Sequence, residues 1–213
     1  MRRRPASPLL WQPDGVRPSA LDDLRPLVPG RVLGVTGAPG AGKSTFATRL
    51  AAEWGAVVVP MDGFHCADVE LRRRGLLDRK GVPDSFDAEG LAALLRRVRD
   101  REELVLAPAF ERDLEQPLAG ALPVPCDADL VVVEGSYLLL DQPRWRAVRA
   151  LLDGVWHLRL PQDVRRRRLL ARHVEFGKDP ATAEAWVSRV DDPNAALVEA
   201  AAERADLVLD LPG

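Results

Sequence analysis

Residues 37–45 read GAPGAGKST, between an apolar stretch at Arg31–Thr36 (RVLGVT) and a segment of helical spacing at Gly42–Trp54. No other feature limits the fold as much. The string fits G-x-x-x-x-G-K-[ST], with Gly37, Gly42, Lys43 and Ser44 at the fixed positions. Its setting, a strand before and a helix after, is the one the motif needs. Glycines let successive N–H groups turn inward on an anion, and the helix N-terminus adds about half a positive charge. Lys43 can reach the β- and γ-phosphates, and the Ser44 hydroxyl can coordinate Mg²⁺. The expected ligand is a nucleoside triphosphate with Mg²⁺, cradled by Gly37, Ala38, Pro39, Gly40, Ala41, Gly42, Lys43, Ser44 and Thr45.

The rest of the chain alternates as such a loop requires. Ala56–Pro60, Glu103–Ala107, Asp129–Glu134, Val155–Leu160 and Asp206–Leu211 read as further strands. Asp87–Asp100, Pro161–Val174, Ala181–Val190 and Ala195–Arg204 have helical spacing, the last two separated by DDPN. Short apolar strands between helices predict an α/β architecture: a three-layer P-loop NTPase fold with a mostly parallel five- or six-stranded sheet, helices on both faces and a helical lid. Residues 1–30 read as an irregular lead-in with one helical turn near Leu21–Leu24, and 31–213 as one domain. Pro108–Pro125 reads as a long surface excursion, of a length that is often functional.

Composition narrows the class. With 46% hydrophobic residues and a net charge of -2, the chain of 213 residues is neither a disordered segment nor a strongly basic nucleic-acid binder. No apolar run approaches the roughly 18 residues of a membrane helix. Arg2–Arg4 do not open a signal peptide, because Pro5, Pro8 and Pro13 interrupt the apolar stretch that one would need. Cys66 and Cys126 form neither a disulfide framework nor a metal motif, so a cytoplasmic location is expected. Arginine outnumbers lysine 27 to 3. Lys43, Lys80 and Lys178 therefore stand out as candidate functional sites, where a guanidinium has not taken the place of the ammonium.

A phosphate cradle alone does not distinguish a transferase from a switch. The second strand ends in PMDGFH, and ligands of parallel sheets sit beyond the C-terminal strand ends. Asp62 is thus expected to face the cradle, placed either to accept the proton of an attacking hydroxyl or to help hold the metal. Glu134, ending VVVE, is expected to hold Mg²⁺ through water, together with Ser44. Between Arg159 and Lys178 seven basic residues face Asp163 and Glu175, a net +5, and helical spacing aligns Arg165, Arg168 and Arg172. Such a face, about residues 161–178, suits a lid over a triphosphate. There is no N-K-x-D string for guanine.

Several strings resemble one family. GAPGAGKST, MDGFH, RKGVPDSFD (79–87), APAFER (107–112) and VVVEGSYLLL are similar to segments of the P-loop small-molecule kinases related to uridine kinase, type I pantothenate kinase and phosphoribulokinase. RHVEFGK (172–178) and DDPNA (191–195) resemble the bacterial nucleoside/nucleotide kinase-like branch, which includes kinases encoded beside fructose transport systems. His65 and Phe110 stand where tyrosines are common in relatives.

The resemblance implies a catalytic pair of Asp62 and Lys43, and an acceptor pocket of Phe64, His65, Lys80, Phe110, Arg112 and Tyr137. It also implies Asn194 near the adenine. Of the lid face, Arg168 and Arg172 are expected to contact the phosphates, and Trp156 and Trp186 are expected in the core. The expected reaction is ATP-dependent transfer to a hydroxyl of a small metabolite: a nucleoside, a pantothenate-like alcohol or a sugar. A regulatory ATPase on the same fold and a nucleoside monophosphate kinase are the alternatives. No nucleic-acid or membrane partner is expected. A homodimer is compatible with the sequence, which does not fix the oligomeric state: no heptad or apolar patch marks an interface.

Overall fold

The computed structural model describes residues 21–211. In chain order its strands are β1 (Val32–Gly37), β2 (Val57–Pro60), β3 (Leu104–Glu111), β4 (Gln116–Pro125), β5 (Val131–Glu134), β6 (Gly154–Arg159) and β7 (Leu207–Asp210). The α-helices are α1 (Lys43–Trp54), α2 (Asp68–Arg74), α3 (Ala88–Arg99), α4 (Pro143–Arg149), α5 (Gln162–Glu175), α6 (Pro180–Trp186) and α7 (Asp192–Ala200).

Five strands form one sheet in the order β2-β5-β1-β6-β7, every neighbouring pair parallel. Their side chains alternate between two apolar clusters, as period-2 geometry requires. Val32, Val59, Val131 and Val133 join α3 (Leu91, Leu95, Val98) and α4 (Trp145, Val148) on one side. Leu33, Val35, Val132 and Leu158 meet α1 (Phe46, Leu50) and Val164 of α5 on the other. Both faces are covered, which explains why these strands read as unbroken apolar runs. The expected turn at Leu21–Leu24 is present, and both leucines are buried in the second cluster. The rest of the lead-in, residues 1–20, lies outside the described residues.

Register positions the site. Glu134 pairs with Val35 of β1 and with Pro60 of β2. The ends of β1, β2 and β5 are therefore adjacent, and the segments leaving these three strands open into the same crevice.

Three expectations need correction. The third predicted strand does not enter the sheet. Leu104–Glu111 pairs antiparallel with Gln116–Pro125, so the supposed loop at 108–125 is a β-hairpin beside the main sheet. Along β3, Val105 and Ala107 are buried while Leu104 and Leu106 are half exposed. A strand with one wet face cannot sit inside a doubly covered sheet. DDPN does not break the helical run either. A π-turn at Val187–Asp191 joins α6 to α7, and Pro193 falls in the first turn of α7, where its missing N–H costs nothing. Third, Trp186, expected in the core with Trp156, is half-buried at the edge of the crevice.

Candidate active site

The phosphate loop is shaped by what lies above it. Gly40 has φ 82, and a Cβ there would fall 2.9 Å from Leu169 Cγ and 3.0 Å from the Arg165 carbonyl oxygen. Only glycine lets the loop run this close under α5. Lys43 opens α1 and folds back, donating from Nζ to the Ala38 carbonyl at 3.1 Å. Among the described residues no carboxylate lies within ion-pair distance of its ammonium. Ser44 donates to Glu134 Oε1 at 2.9 Å.

Burial lowers the pKa of Lys43, opposed by Glu134 and Asp62, and burial with nearby Asp62 raises that of Glu134. Both shifts express a site that lacks compensating charge. A triphosphate and a divalent cation would supply it, so the donor set fits Mg²⁺–ATP. No cluster of three or more metal-ligating side chains exists among the described residues. A cation here would thus rest on Ser44, Glu134, water and phosphate oxygens, the habit of Mg²⁺.

A cavity of about 270 Å³ connects this loop to the turn after β2 and to the hairpin. Asp62 lies in a 3-10 turn just beyond β2 and accepts from Arg112 Nη2 at 2.9 Å. Arg112 lies just past the end of β3, so the hairpin delivers the guanidinium to the carboxylate. The His65 ring packs against Phe86 (4.0 Å between centroids) and Phe110 (4.8 Å). Its Nδ1 lies 2.8 Å from the Asp62 carbonyl oxygen, which only accepts, so Nδ1 carries the proton. Burial holds its pKa below the ordinary histidine value, which leaves Nε2 as an acceptor near neutral pH. Lys80 and Arg112 lie over the Phe110 ring at 5.2 and 5.1 Å. Lys80 also pairs with Asp68 at 2.8 Å and donates to the Glu115 carbonyl.

Gly63 shows why the aspartate is followed by glycine. A Cβ at Gly63 would lie 2.3 Å from the Pro108 carbonyl oxygen. Gly63→Ala should therefore force the hairpin away from the turn that carries Asp62, destabilising the fold by about 1–3 kcal/mol. A thermal unfolding midpoint equal to that of the parent protein would show that the contact is not tight.

The lid face divides. Arg165 is buried and pairs with Asp192 at 2.6 Å, and Arg166 reaches the same carboxylate at 3.2 Å. His173 Nε2 meets Asp191 Oδ2 at 2.7 Å. Asn194 donates to the Gly81 carbonyl at 3.2 Å, as does the Tyr137 hydroxyl at 2.5 Å. DDPN is thus a clasp joining α5 to the 79–87 segment. Arg168 Nη1 approaches within 3.9 Å of a Gly42 Cβ position, and Arg172 lines the cavity. Among the described residues, neither has a carboxylate partner.

One cavity therefore gathers Pro39, Gly40, Lys43, Ser44, Asp62 and Glu134 with His65, Lys80, Phe110, Arg112, Tyr137 and Arg172. Gly37, Ala38 and Ala41 are buried in the turn of the loop, and Thr45 is exposed on α1. One expected contact lies elsewhere. Phe64 is turned into the core, and Phe86 takes its place in the wall. Asn194 lines the cavity and is buried beside Gly81. Sequence reading missed Phe86, His173 and Trp186, and assigned Lys178 no contact. The RHVEFGK string already held His173 and Lys178, but nothing in it said which way they face.

No family model matches the chain. The Escherichia coli protein YggC is 33% identical over 180 residues, covering 81% of this chain and 74% of the relative. A Schizosaccharomyces pombe protein named "putative uridine kinase C227.14" is 32% identical over 174 residues, covering 75% and 73%. The crystal structure of a "putative fructose transport system kinase" from Silicibacter sp. TM1040 superposes with a TM-score of 0.80 at 38% identity. That match covers 91% of this chain and 99% of the other.

Proposed function

Since this chain belongs to the P-loop small-molecule kinases related to uridine kinase and type I pantothenate kinase, in the fructose-transport-kinase-like branch, we propose that it transfers the γ-phosphoryl group of ATP to an alcohol hydroxyl of a small metabolite. The observation that carries this reading is the opening of Asp62 into the same cavity as Lys43 and Ser44. A carboxylate facing a phosphate cradle suits a hydroxyl acceptor better than hydrolysis alone.

The residues divide the work. The loop N–H groups and Lys43 hold the β- and γ-phosphates, and Arg168 and Arg172 approach them from the lid. Ser44 and Glu134 would hold Mg²⁺, which supplies neutralisation of the charge on the phosphate oxygens. Asp62 orients the acceptor hydroxyl and takes its proton as the oxygen bonds to phosphorus and the bond to the β-phosphate oxygen breaks. His65 Nε2 offers an acceptor for a second hydroxyl. Most of the rate comes from positioning and charge.

The direct test is incubation with γ-labelled ATP and a panel of hydroxyl compounds, with the products separated. A labelled organic phosphate is expected. Label appearing only as inorganic phosphate would favour a regulatory ATPase and overturn the reading.

Arg112 bridges Asp62 and the Phe110 ring, so it belongs to the acceptor side. Arg112→Gln should raise the acceptor KM by about 10-fold or more, the weight of a charged hydrogen bond, with far less change in the KM for ATP. The reverse order would place Arg112 on the nucleotide. No helix among the described residues is long and apolar enough to cross a membrane.

A further inference from the structure

Of the three lysines, Lys43 serves the phosphates in the proposed chemistry and Lys80 is paired with Asp68, which leaves Lys178. Lys178 comes after α5 and Gly177 and lines the same cavity as Asp62. Its Nζ lies 5.2 Å from the centre of the Trp186 ring, and Arg189 Cζ lies 5.8 Å from the same ring. The adjacent acid does not neutralise it. The Asp179 carboxylate caps α6 instead, accepting from Thr182 N at 3.0 Å and from Thr182 Oγ1 at 2.5 Å.

The carboxylates lining the cavity are Asp62, Glu115, Glu134 and Asp191. Three are engaged, with Arg112, Ser44 and His173 respectively for Asp62, Glu134 and Asp191. Among the described residues none of the four lies within ion-pair distance of Lys178. Arg172, in the lid before it, likewise has no carboxylate partner.

An aromatic face steadies an ammonium without cancelling its charge. A carboxylate would steady it and cancel it. Holding Lys178 by Trp186, with a second cation on the same ring, concentrates positive charge on one wall of the cavity. Such charge is costly to bring together unless an anion arrives to use it.

We infer that the acceptor carries a fixed negative charge, a carboxylate or a phosphate monoester, away from its reacting hydroxyl, and that Lys178 on its Trp186 platform is the specificity-determining residue that receives it. This rests on the kinase reading and names the substrate class for that same cavity. The anion seats at the lid end while the hydroxyl points to Asp62, and the γ-phosphoryl group passes to that hydroxyl oxygen.

The test compares matched pairs of acceptors. One arm sets small hydroxy acids against their hydroxy amides; the other sets sugar monophosphates against the parent sugars. In at least one arm the charged member should be favoured by about 10-fold or more in kcat/KM, the weight of one charge-assisted contact. The arm that shows it identifies the anion. Lys178→Gln should collapse that ratio towards one, Lys178→Arg should keep most of it, and the KM for ATP should stay unchanged in both. A purely structural role would lower both members of a pair together and leave the ratio intact.

Equal or better use of neutral acceptors, a ratio untouched in Lys178→Gln, or a raised KM for ATP would each overturn the inference while leaving the kinase reading in place. Absence of any organic phosphate from every pair, with ATP still hydrolysed, would overturn both. Trp186→Phe keeps an aromatic face and should retain most of the preference, whereas Trp186→Leu should lose it; an intact preference in Trp186→Leu would refute the platform.

Discussion

Asp62→Asn is expected to lower phosphoryl transfer by at least about 100-fold, the smaller end of what a general base contributes. The substitution is nearly isosteric. An asparagine oxygen can still accept from Arg112 Nη2, now at 2.9 Å, so the turn beyond β2 and the hairpin contact should survive. What disappears is the ability to take a proton, and with it a charge facing Lys43 and Glu134. The loss should fall on kcat, with the KM for ATP little changed and the unfolding midpoint close to the parent's. Steady-state kinetics with any accepted alcohol provide the measurement. Transfer at a near-normal rate would remove Asp62 from the role of base.

Lys43→Ala should cost about 1000-fold or more in turnover, at the upper end for loss of one preorganised donor to developing charge. Its effect on stability should have the opposite character. The Lys43 ammonium is half-buried, its pKa is pressed down by burial, and its hydrogen bond goes to an uncharged carbonyl. Its removal takes away a poorly compensated charge rather than a structural link. The ligand-free variant should therefore unfold at or above the temperature of the parent, and should lose the stabilisation that the parent gains on adding Mg²⁺–ATP. Paired thermal scans with and without nucleotide measure both. An equal nucleotide-induced shift in the variant would mean that the loop binds phosphate without its lysine.

How much could be read beforehand depended on the range of the interaction. The phosphate loop, Asp62 and Glu134 were legible because each sits at the end of an apolar strand, and strand ends of a parallel sheet converge on one edge whatever the loops do. The β3–β4 hairpin was not. Glu103–Ala107 is as apolar in sequence as a sheet strand, and only the wet face at Leu104 and Leu106 separates it. Phe86 lines the cavity where Phe64 was expected, for a similar reason. Two phenylalanines are chemically alike, and which one faces the cavity depends on backbone direction at the 3-10 turn and at the Phe86–His65 bridge. Arg165 looked equivalent to Arg168 and Arg172 on the helix face. Asp192, 27 positions away, engages it and leaves the other two free of carboxylates.

Chain-local chemistry was sufficient for the phosphate-loop half of the cavity. Nine consecutive residues carry the glycines, the lysine and the hydroxyl, and the strand and helix around them are dictated by their own apolar periodicity. The opposite half was decided by tertiary structure alone. Its wall is assembled from the turn after β2, the 80–86 segment, the hairpin, Tyr137 and the stretch from Arg172 to Asn194. Contacts between such distant segments arise from sheet order and helix packing, which no neighbouring residue encodes. The ammonium of Lys178 comes to rest on Trp186 only once the chain has turned between α5 and α6.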